Sequence, residues 1–295
     1  MITVNIFGGI GNQMFQYALG RSLSVKLKTK LKFNYSENIT RTDFKQGDIV
    51  SIFEIFKLSG EVKYYKQGPF SFKDKFINRL KNKFINFTER KNYIYEQDYS
   101  YDKNILETPN NSYLSGYWQS EKYFNNIIDI LKNDFQFKIP MSSYNIDTYN
   151  KIINSNSVSL HIRGRDYLTN ELAKQLFSGS NYKYYENCIE FIKKRVASPH
   201  FFIFSDDPEY AKSFFDSTDS ITFVVGNSWN KTSYEDLRLM SMCKHNIITS
   251  SSFGWWGAWL NNNKGKIVLA PKMWFSDDEK NNLTVDTIPD TWIRI

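Results

Sequence analysis

The sequence is poor in the residues that cross-link small folds or hold metals. Its 295 residues include two cysteines, Cys188 and Cys243, and three histidines. Two cysteines without close spacing exclude a disulfide framework and a zinc ribbon. The histidines, His161, His200 and His245, form no pair at helical spacing that would predict a metal site.

Membrane-spanning and secretory features are also missing. No apolar run approaches the roughly 20 residues of a transmembrane helix. The first seven residues have the β-branched character of a strand, and they lack the charged start and apolar stretch of a signal peptide. We therefore expect a cytoplasmic protein.

The composition is that of a folded chain. Hydrophobic residues make up 41% and charged residues 23%, and the length suits two domains of ordinary size. The net charge of +7 favours a polyanionic ligand, an anionic membrane or nucleic acid. A Lys-rich composition without a functional meaning explains the same excess.

The opening of the chain predicts a strand, a glycine turn and a helix. Residues 2–7 are mostly apolar or β-branched, and Gly8, Gly9 and Gly11 follow. From Asn12 onward, apolar residues are spaced as on one face of a helix: Phe15, Leu19 and Leu23. This is the start of an α/β unit.

The second half repeats this alternation. Strands are predicted at 157–162, 200–204, 246–248 and 266–270, with helices at 182–195 and 234–243. Alternating strands and helices predict a parallel, doubly wound sheet, in which ligands bind beyond the carboxyl ends of the strands. Residues 140–154 show no apolar period, so we predict two α/β domains, 1–150 and 151–295.

Residues 72–90 predict a basic amphipathic helix. Its apolar positions recur at helical spacing between lysines and arginines: Phe72, Phe76, Leu80, Phe84 and Phe87. Two interpretations are open. The helix packs on its own domain, or it holds the protein at an anionic membrane.

The glycine turn alone is weak evidence for nucleotide binding. Gly9 and Gly11 lack the third glycine of a dinucleotide fingerprint, and a tight connection explains them equally well. Asn12 and Gln13 are less easily explained, because two amides at a helix start suit either a helix cap or a substrate contact.

Charged and hydroxyl side chains follow the predicted strands of the second half. After residue 162 come Arg163 and Arg165, whose guanidinium groups can bind phosphate oxygens, although Arg165 could instead pair with Asp166. Asp206 and Asp207 could accept from a ribose or a base, or cap a helix that Pro208 starts.

Hydroxyl groups also precede a predicted helix near residue 252. Ser250, Ser251 and Ser252 lie before this helix start, which is a typical anion site. The tryptophans that follow are expected in the core. No Asp-x-Asp triplet occurs. If a diphosphate binds, side chains rather than a metal would neutralise it, with Arg163 the leading candidate.

Several blocks together resemble one family, the glycosyltransferase family 11 α-1,2-fucosyltransferases. The matching segments follow the family's order: GGIGNQMFQYA at 8–18, GYWQSEKYF at 116–124, FIFSDD at 202–207, DLRLMSMCKHNII at 236–248, SSFGWWGAWLN at 251–261 and APK at 270–272. They span nearly the whole chain, and their order makes the resemblance specific.

The resemblance implies a GT-B architecture, in which two Rossmann-like domains face each other across a cleft. It implies GDP-fucose as co-substrate, a galactose-containing glycan as acceptor, free or lipid-linked, inversion at the anomeric carbon, and no metal or other cofactor. The second domain would hold GDP, Arg163 would contact the β-phosphate, and Asn12 would lie near the reacting sugar. The donor-site candidates are Gly9, Gly11, His161, Arg163, Arg165, Asp206, Asp236, Ser251, Ser252 and Phe253; those for catalysis are Asn12 and Arg163.

The chain departs from the family pattern at a few positions. The family usually has two adjacent arginines followed by glycine, whereas here Gly164 precedes Arg165. Ser250 and Gly254 replace an Asn and a Ser that are common in the family. These changes bear on secondary phosphate contacts and on donor or linkage detail.

Two rival functions remain at this stage. One is a related transferase that uses another GDP-sugar or makes another linkage. The other is a non-catalytic glycan-binding or nucleic-acid-binding protein, although no RNA-binding signature occurs and the basic residues are dispersed. Inversion normally requires a group that accepts the acceptor's proton, and the sequence singles out no carboxylate for it.

Overall fold

The computed structural model describes residues 1–36, 40–41, 44–45, 50–65, 92–164, 181–216, 218–227 and 231–295. The chain divides into two compact units, Met1–Gln136 and Phe137–Ile295. The division comes earlier than residue 150, where the sequence places it. The segment 72–90 and Arg165 lie outside the described residues.

The first unit is built on a parallel sheet. Its strands are β1 (Ile2–Ile6), β2 (Leu31–Ser36), β5 (Glu61–Tyr65), β6 (Asn92–Tyr95) and β7 (Ser112–Ser115), in the order β5-β2-β1-β7-β6. A short hairpin joins β3 (Thr40–Arg41) and β4 (Phe44–Lys45). The α-helices described here are α1 (Ile10–Lys26), α2 (Ile52–Ile55) and α3 (Ile128–Asp134), with 3-10 turns at Lys103–Glu107, Glu121–Tyr123 and Asn125–Ile127.

The strand β1 and the helix α1 form the centre of this unit. Every residue of β1 is buried, as expected for a parallel strand covered on both faces. The helix follows directly and packs on β1. Phe15, Leu19 and Leu23 are fully buried, which confirms the predicted helix.

The second unit contains the other parallel sheet. Its strands are β8 (Asn156–Ile162), β9 (Pro199–Ser205), β10 (Ile221–Val224), β11 (His245–Ile247), β12 (Val268–Ala270) and β13 (Ile293–Arg294), in the order β10-β9-β8-β11-β12-β13. The helices described here are α4 (Ser143–Ile153), α5 (Tyr182–Lys193), α6 (Pro208–Lys212), α7 (Ser233–Met242), α8 (Ser252–Leu260) and α9 (Asp278–Asn282). The predicted α/β fold with parallel sheets is confirmed.

A hydrophobic cluster of the second unit lies on the face of β8 that Val158, Leu160 and Ile162 share. Val158, Leu160 and Ile162 pack with residues of β9 and with the buried face of α5. The tryptophans of α8 are also internal, since Trp255 and Trp256 are fully buried. Their predicted place in the core is confirmed.

The segment that the sequence presents as a boundary contains the helix α4. The buried side chains of this helix are those of Ile152 and Asn145, and only one of them is apolar, so no apolar period marks the helix in the sequence. The helix packs on α7 and β8. It therefore belongs to the second unit, and the chain divides before it.

Neither a membrane-spanning helix nor a group of metal ligands occurs among the residues described. Within the ranges described, no helix has the length and hydropathy needed to span a bilayer. Across the same residues, no three His, Cys, Asp or Glu side chains are grouped as metal ligands. Both cysteines are buried free thiols.

Candidate functional site

The second sheet changes direction at the gap between β8 and β11. From β8 the chain adds β9 and then β10 on one side, and it adds β11, β12 and β13 on the other. Ligands of open α/β sheets bind beyond the carboxyl ends of the strands at such a switch point. The residues that follow β8 and β11 therefore lie where such sheets bind their ligands.

Arg163 and Ser251 meet at this switch point. Arg163 follows β8, and its Nη1 donates to Ser251 Oγ at 3.4 Å across 88 residues of chain. Ser251 is the N-cap of α8 but does not cap the helix with its side chain. The first backbone N–H groups of a helix lack intrahelical partners and carry partial positive charge. A guanidinium and a helix start thus lie together, an arrangement suited to an anion.

His161 lies buried beneath the same helix start. Its side chain is 5% exposed, its ring is 5.8 Å from that of Phe253, and its Nδ1 has no hydrogen-bond partner among the described residues. Burial, together with the charge of Arg163, lowers the pKa of His161 to about 3. The imidazole is therefore neutral, which leaves Arg163 as the cation of this pair.

Gly254 is fitted closely to His161. A Cβ at Gly254 would lie 2.6 Å from His161 Nδ1, so a larger residue would displace either the imidazole or the first turn of α8. The glycine at this position therefore sets how closely α8 approaches β8.

The two aspartates after β9 have different partners. Asp206 Oδ1 accepts from the backbone N–H of Gly164 at 2.8 Å, which ties down the turn that carries Arg163. Asp207 Oδ1 accepts from Tyr210 N at 3.0 Å and caps α6, with Pro208 as its first residue. The capping interpretation is thus confirmed for Asp207, and Asp206 is a support for the turn after β8.

The structure gives a packing reason for Gly164. A Cβ there would lie 2.6 Å from Tyr210 Cδ1 and 2.9 Å from Asp207 Cβ. Position 164 therefore has no room for the arginine that the family pattern has there. Arg165 lies outside the described residues, so its two interpretations remain predictions.

Asp236 belongs to a different group of side chains. Its Oδ1 accepts from Asn227 Nδ2 at 2.7 Å, and Asn227 exchanges two amide hydrogen bonds with Asn145 of α4. Burial raises the pKa of Asp236 to about 7, although the Asn227 hydrogen bond opposes this. The structure therefore joins Asp236 to Asn227 rather than to the Arg163 and Ser251 pair.

The first sheet also has a switch point, between β1 and β7. Gly9 is the N-cap of α1, and Gly11 is buried within its first turn. Asn12 is buried in the same turn, and its Oδ1 accepts from Gln119 Nε2 at 2.8 Å across 107 residues. Asn12 therefore meets the loop that follows β7.

Two further amide side chains of α1 form hydrogen bonds with the backbone of neighbouring loops. Gln13 donates to Gly8 O at 2.9 Å, and its Oε1 accepts from Ile52 N. Gln16 Nε2 donates to Gly116 O at 3.1 Å, and its Oε1 accepts from Phe7 N. Sequence reasoning missed Gln16 and Gln119, although both fall inside the family-like blocks.

The architecture and the sites together define a class of protein. Two α/β units, each built on a parallel sheet, and an arginine beside a helix start at the switch point of the second sheet are the features of the GT-B fold class. The crystal structure of fucosyltransferase NodZ from Bradyrhizobium has the same fold, with a TM-score of 0.50 at 13% identity, covering 87% of this chain and 92% of that one.

The family follows from the whole sequence. The model of glycosyl transferase family 11 matches residues 1–295, and the chain belongs to this family. An Escherichia coli alpha-1,2-colitosyltransferase is 34% identical, covering 100% of this chain and 99% of the relative. The O-antigen biosynthesis glycosyltransferase WbnK of Escherichia coli is 33% identical, covering 98% of each. The chain is therefore a glycosyltransferase, as predicted.

Proposed function

We propose that this glycosyltransferase moves fucose from GDP-fucose to a hydroxyl of a galactose-containing glycan, with inversion and an α-1,2 linkage. The observation that carries the proposal is the contact of Arg163 with Ser251 at the start of α8. A diphosphate is an anion that a guanidinium and the N–H groups of a helix start can bind together.

Arg163 has the central part in the proposed reaction. As the sugar–phosphate bond breaks, negative charge builds on the departing GDP, and a fixed cation stabilises this charge more than it stabilises the bound donor. The neutral His161 beneath the helix start adds no second charge. Asp206 keeps the turn of Arg163 in place through Gly164.

The first unit would contribute the acceptor side. Asn12, held by Gln119, is proposed to lie near the reacting sugar. No metal is proposed, because the side-chain cation and the helix start supply the positive charge on the diphosphate.

The proposed setting is O-antigen synthesis in the cytoplasm. WbnK, a relative of similar length, is named for O-antigen biosynthesis. The acceptor would then be a galactoside of a growing polysaccharide unit, free or lipid-linked. Peripheral membrane contact through residues 72–90 is part of this proposal, and salt-reversible sedimentation with anionic vesicles tests it.

A second donor is favoured by one observation. The relative that is 34% identical over the whole chain is an alpha-1,2-colitosyltransferase. Colitose linked to GDP is therefore the alternative donor for the same site and acceptor.

A donor panel separates the two. The purified protein is incubated with GDP-fucose, GDP-colitose or GDP-mannose and a set of β-galactosides, and the product linkage is assigned by NMR. Fucosyl transfer to the 2-hydroxyl of galactose is expected. If the protein transfers only from GDP-colitose, colitose and not fucose is the sugar it moves. If it transfers from none of the GDP-sugars, the proposal is rejected.

A further inference from the structure

The loop after β7 is held in an unusual backbone conformation. We refer to residues 116–119 as the 116–119 turn. Trp118 is buried in the left-handed region with φ 59°, where side chains with a Cβ are disfavoured. The Tyr117 ring packs 5.1 Å from that of Phe7. A turn of this kind persists only when neighbouring groups fix it.

One carboxylate fixes the backbone of this turn. Glu96 follows β6, and its Oε2 accepts from Tyr117 N while its Oε1 accepts from Trp118 N, both at 2.7 Å. Short hydrogen bonds to a charged acceptor are stronger than neutral ones. A Cβ at Gly116 would lie 2.4 Å from Glu96 Cβ, so the glycine permits this approach.

The 116–119 turn ends at the side chain proposed for the reaction. Gln119 Nε2 donates to Asn12 Oδ1, which turns the oxygen of the Asn12 amide toward Gln119 and its nitrogen away. Gln16, on the same helix as Asn12, binds Gly116 O at the start of the turn. The orientation of the Asn12 amide thus depends on where the turn places Gln119.

We propose that Glu96 is a positioning residue for the transfer reaction, holding the 116–119 turn so that Gln119 orients Asn12. The inference rests on the proposed function through the role given there to Asn12. Both Glu96 oxygens are engaged by backbone N–H groups, which argues against Glu96 as the base that takes the acceptor's proton.

The ionisation of Glu96 provides a readout that a purely structural residue would lack. Burial raises the pKa of Glu96 to about 7; the two backbone N–H groups oppose the rise, and Asp98 adds to it. Among the described residues, the hydroxyl of Tyr123 also interacts with Glu96. A protonated carboxyl cannot accept both N–H groups equally, because one oxygen then carries a hydrogen.

The test compares E96Q with E107Q. Gln keeps the size of Glu96 but replaces one acceptor oxygen by an NH2 group that faces a backbone N–H. Glu107 is exposed on the same unit, where it pairs with Lys26, so E107Q is a matched control for the same chemical change. E96Q should lower kcat by about 10- to 100-fold, the range for a misplaced active-site group, with an unchanged Kd for GDP. E107Q should match the wild type.

The pH profile gives the second measurement. In the wild type, kcat should fall as the pH drops through about 7, and in E96Q this limb should disappear. Asp236 also has a raised pKa, so the limb assigned to Glu96 is the one that E96Q removes. If E96Q does not fold, E96D replaces it. A kcat limb shifted in E96D would support the proposal, and an E96D enzyme with the kcat and pH profile of the wild type would overturn it.

A double-mutant cycle distinguishes an error in the role given to Glu96 from an error in the role given to Asn12. If Glu96 acts through Asn12, the double variant E96Q/N12A should have a kcat only slightly below that of N12A. Independent, multiplicative losses, or an E96Q enzyme with wild-type kcat and pH profile, would overturn the positioning role. A fully active N12A enzyme would instead reject the proposed role of Asn12, whatever E96Q does.

Discussion

At the scale of single residues, the arginine after β8 is the most informative position. Arg163→Ala should lower kcat by about two orders of magnitude or more, since a charged donor to a departing group contributes ~3 kcal/mol or more. Arg163→Lys should restore little, because lysine lacks the planar fork of donors. Steady-state kinetics of purified variants measure both effects.

The control for Arg163 is another arginine of the same unit. Arg195 is exposed two residues beyond the end of α5, where it donates to Phe191 O. Arg195→Ala should retain wild-type turnover. A folded Arg163→Ala enzyme with near-normal turnover would remove Arg163 from the mechanism.

Asn12 allows a test that separates the two units. Asn12→Ala should reduce kcat much more than it reduces GDP affinity, because GDP is proposed to bind the second unit. Kinetics and calorimetric titration with GDP provide the two numbers. Asn104→Ala, at an exposed position of the first unit, is the control. Equal losses in turnover and in GDP affinity would indicate a folding role for Asn12 instead.

At the scale of secondary-structure elements, the close approach of α8 to β8 matters for the proposed anion site. Gly254→Ala should weaken GDP binding and lower stability by about 1–3 kcal/mol, the range for overpacking a core, because its Cβ meets His161 Nδ1 at 2.6 Å. Gly265→Ala is the matched control, since its nearest neighbour would be 3.8 Å away. GDP titration and thermal unfolding of both variants check this. Normal GDP affinity in Gly254→Ala would mean that the helix start does not hold the diphosphate.

At the scale of the whole molecule, the proposed reaction needs no metal. Transfer should persist in excess EDTA, because Arg163 and the start of α8 would neutralise the diphosphate. The assay compares initial rates with and without the chelator. Loss of activity that magnesium or manganese restores would contradict a metal-independent mechanism.

The pH dependence of folding stability is also predicted for the whole molecule. Asp236 has a pKa of about 7 in the folded chain, above its ordinary value of 3.8, because it is buried. A raised pKa means that the folded state binds the proton more tightly, so this contribution is present at low pH and is lost as the pH rises through about 7. The stability of the wild type relative to Asp236→Asn should therefore fall between about pH 4 and pH 7.

The wild type must be compared with Asp236→Asn because the buried His161 also makes stability depend on pH. The lowered pKa of His161 affects stability in the opposite direction, because the folded state resists protonation. Its contribution is lost as the pH falls below the pKa of histidine in the unfolded chain. Urea unfolding of the wild type, Asp236→Asn and the exposed-site control Asp216→Asn at each pH isolates the Asp236 contribution. Parallel curves for all three proteins would contradict the prediction.

The sequence alone determined the alternation of strands and helices and the clusters that end the strands. Strands buried on both faces require continuous apolar runs, and polar residues are tolerated where those runs stop, so β8, β9 and the sites after them are visible in the order of residues. The ordered blocks likewise identified the family. Local spacing was sufficient for all of these features because each extends over a few neighbouring residues.

Only the tertiary structure decided which side chains meet. Arg163 reaches Ser251, Asn12 reaches Gln119, and Glu96 binds the backbone of Tyr117 and Trp118, and each pairing joins different strand ends of one sheet. The helix α4 and the need for glycine at position 164 also depend on neighbours distant in the chain. Spacing along a sequence cannot specify such contacts, because they arise when strand order and helix packing bring separate loops to one edge of a sheet.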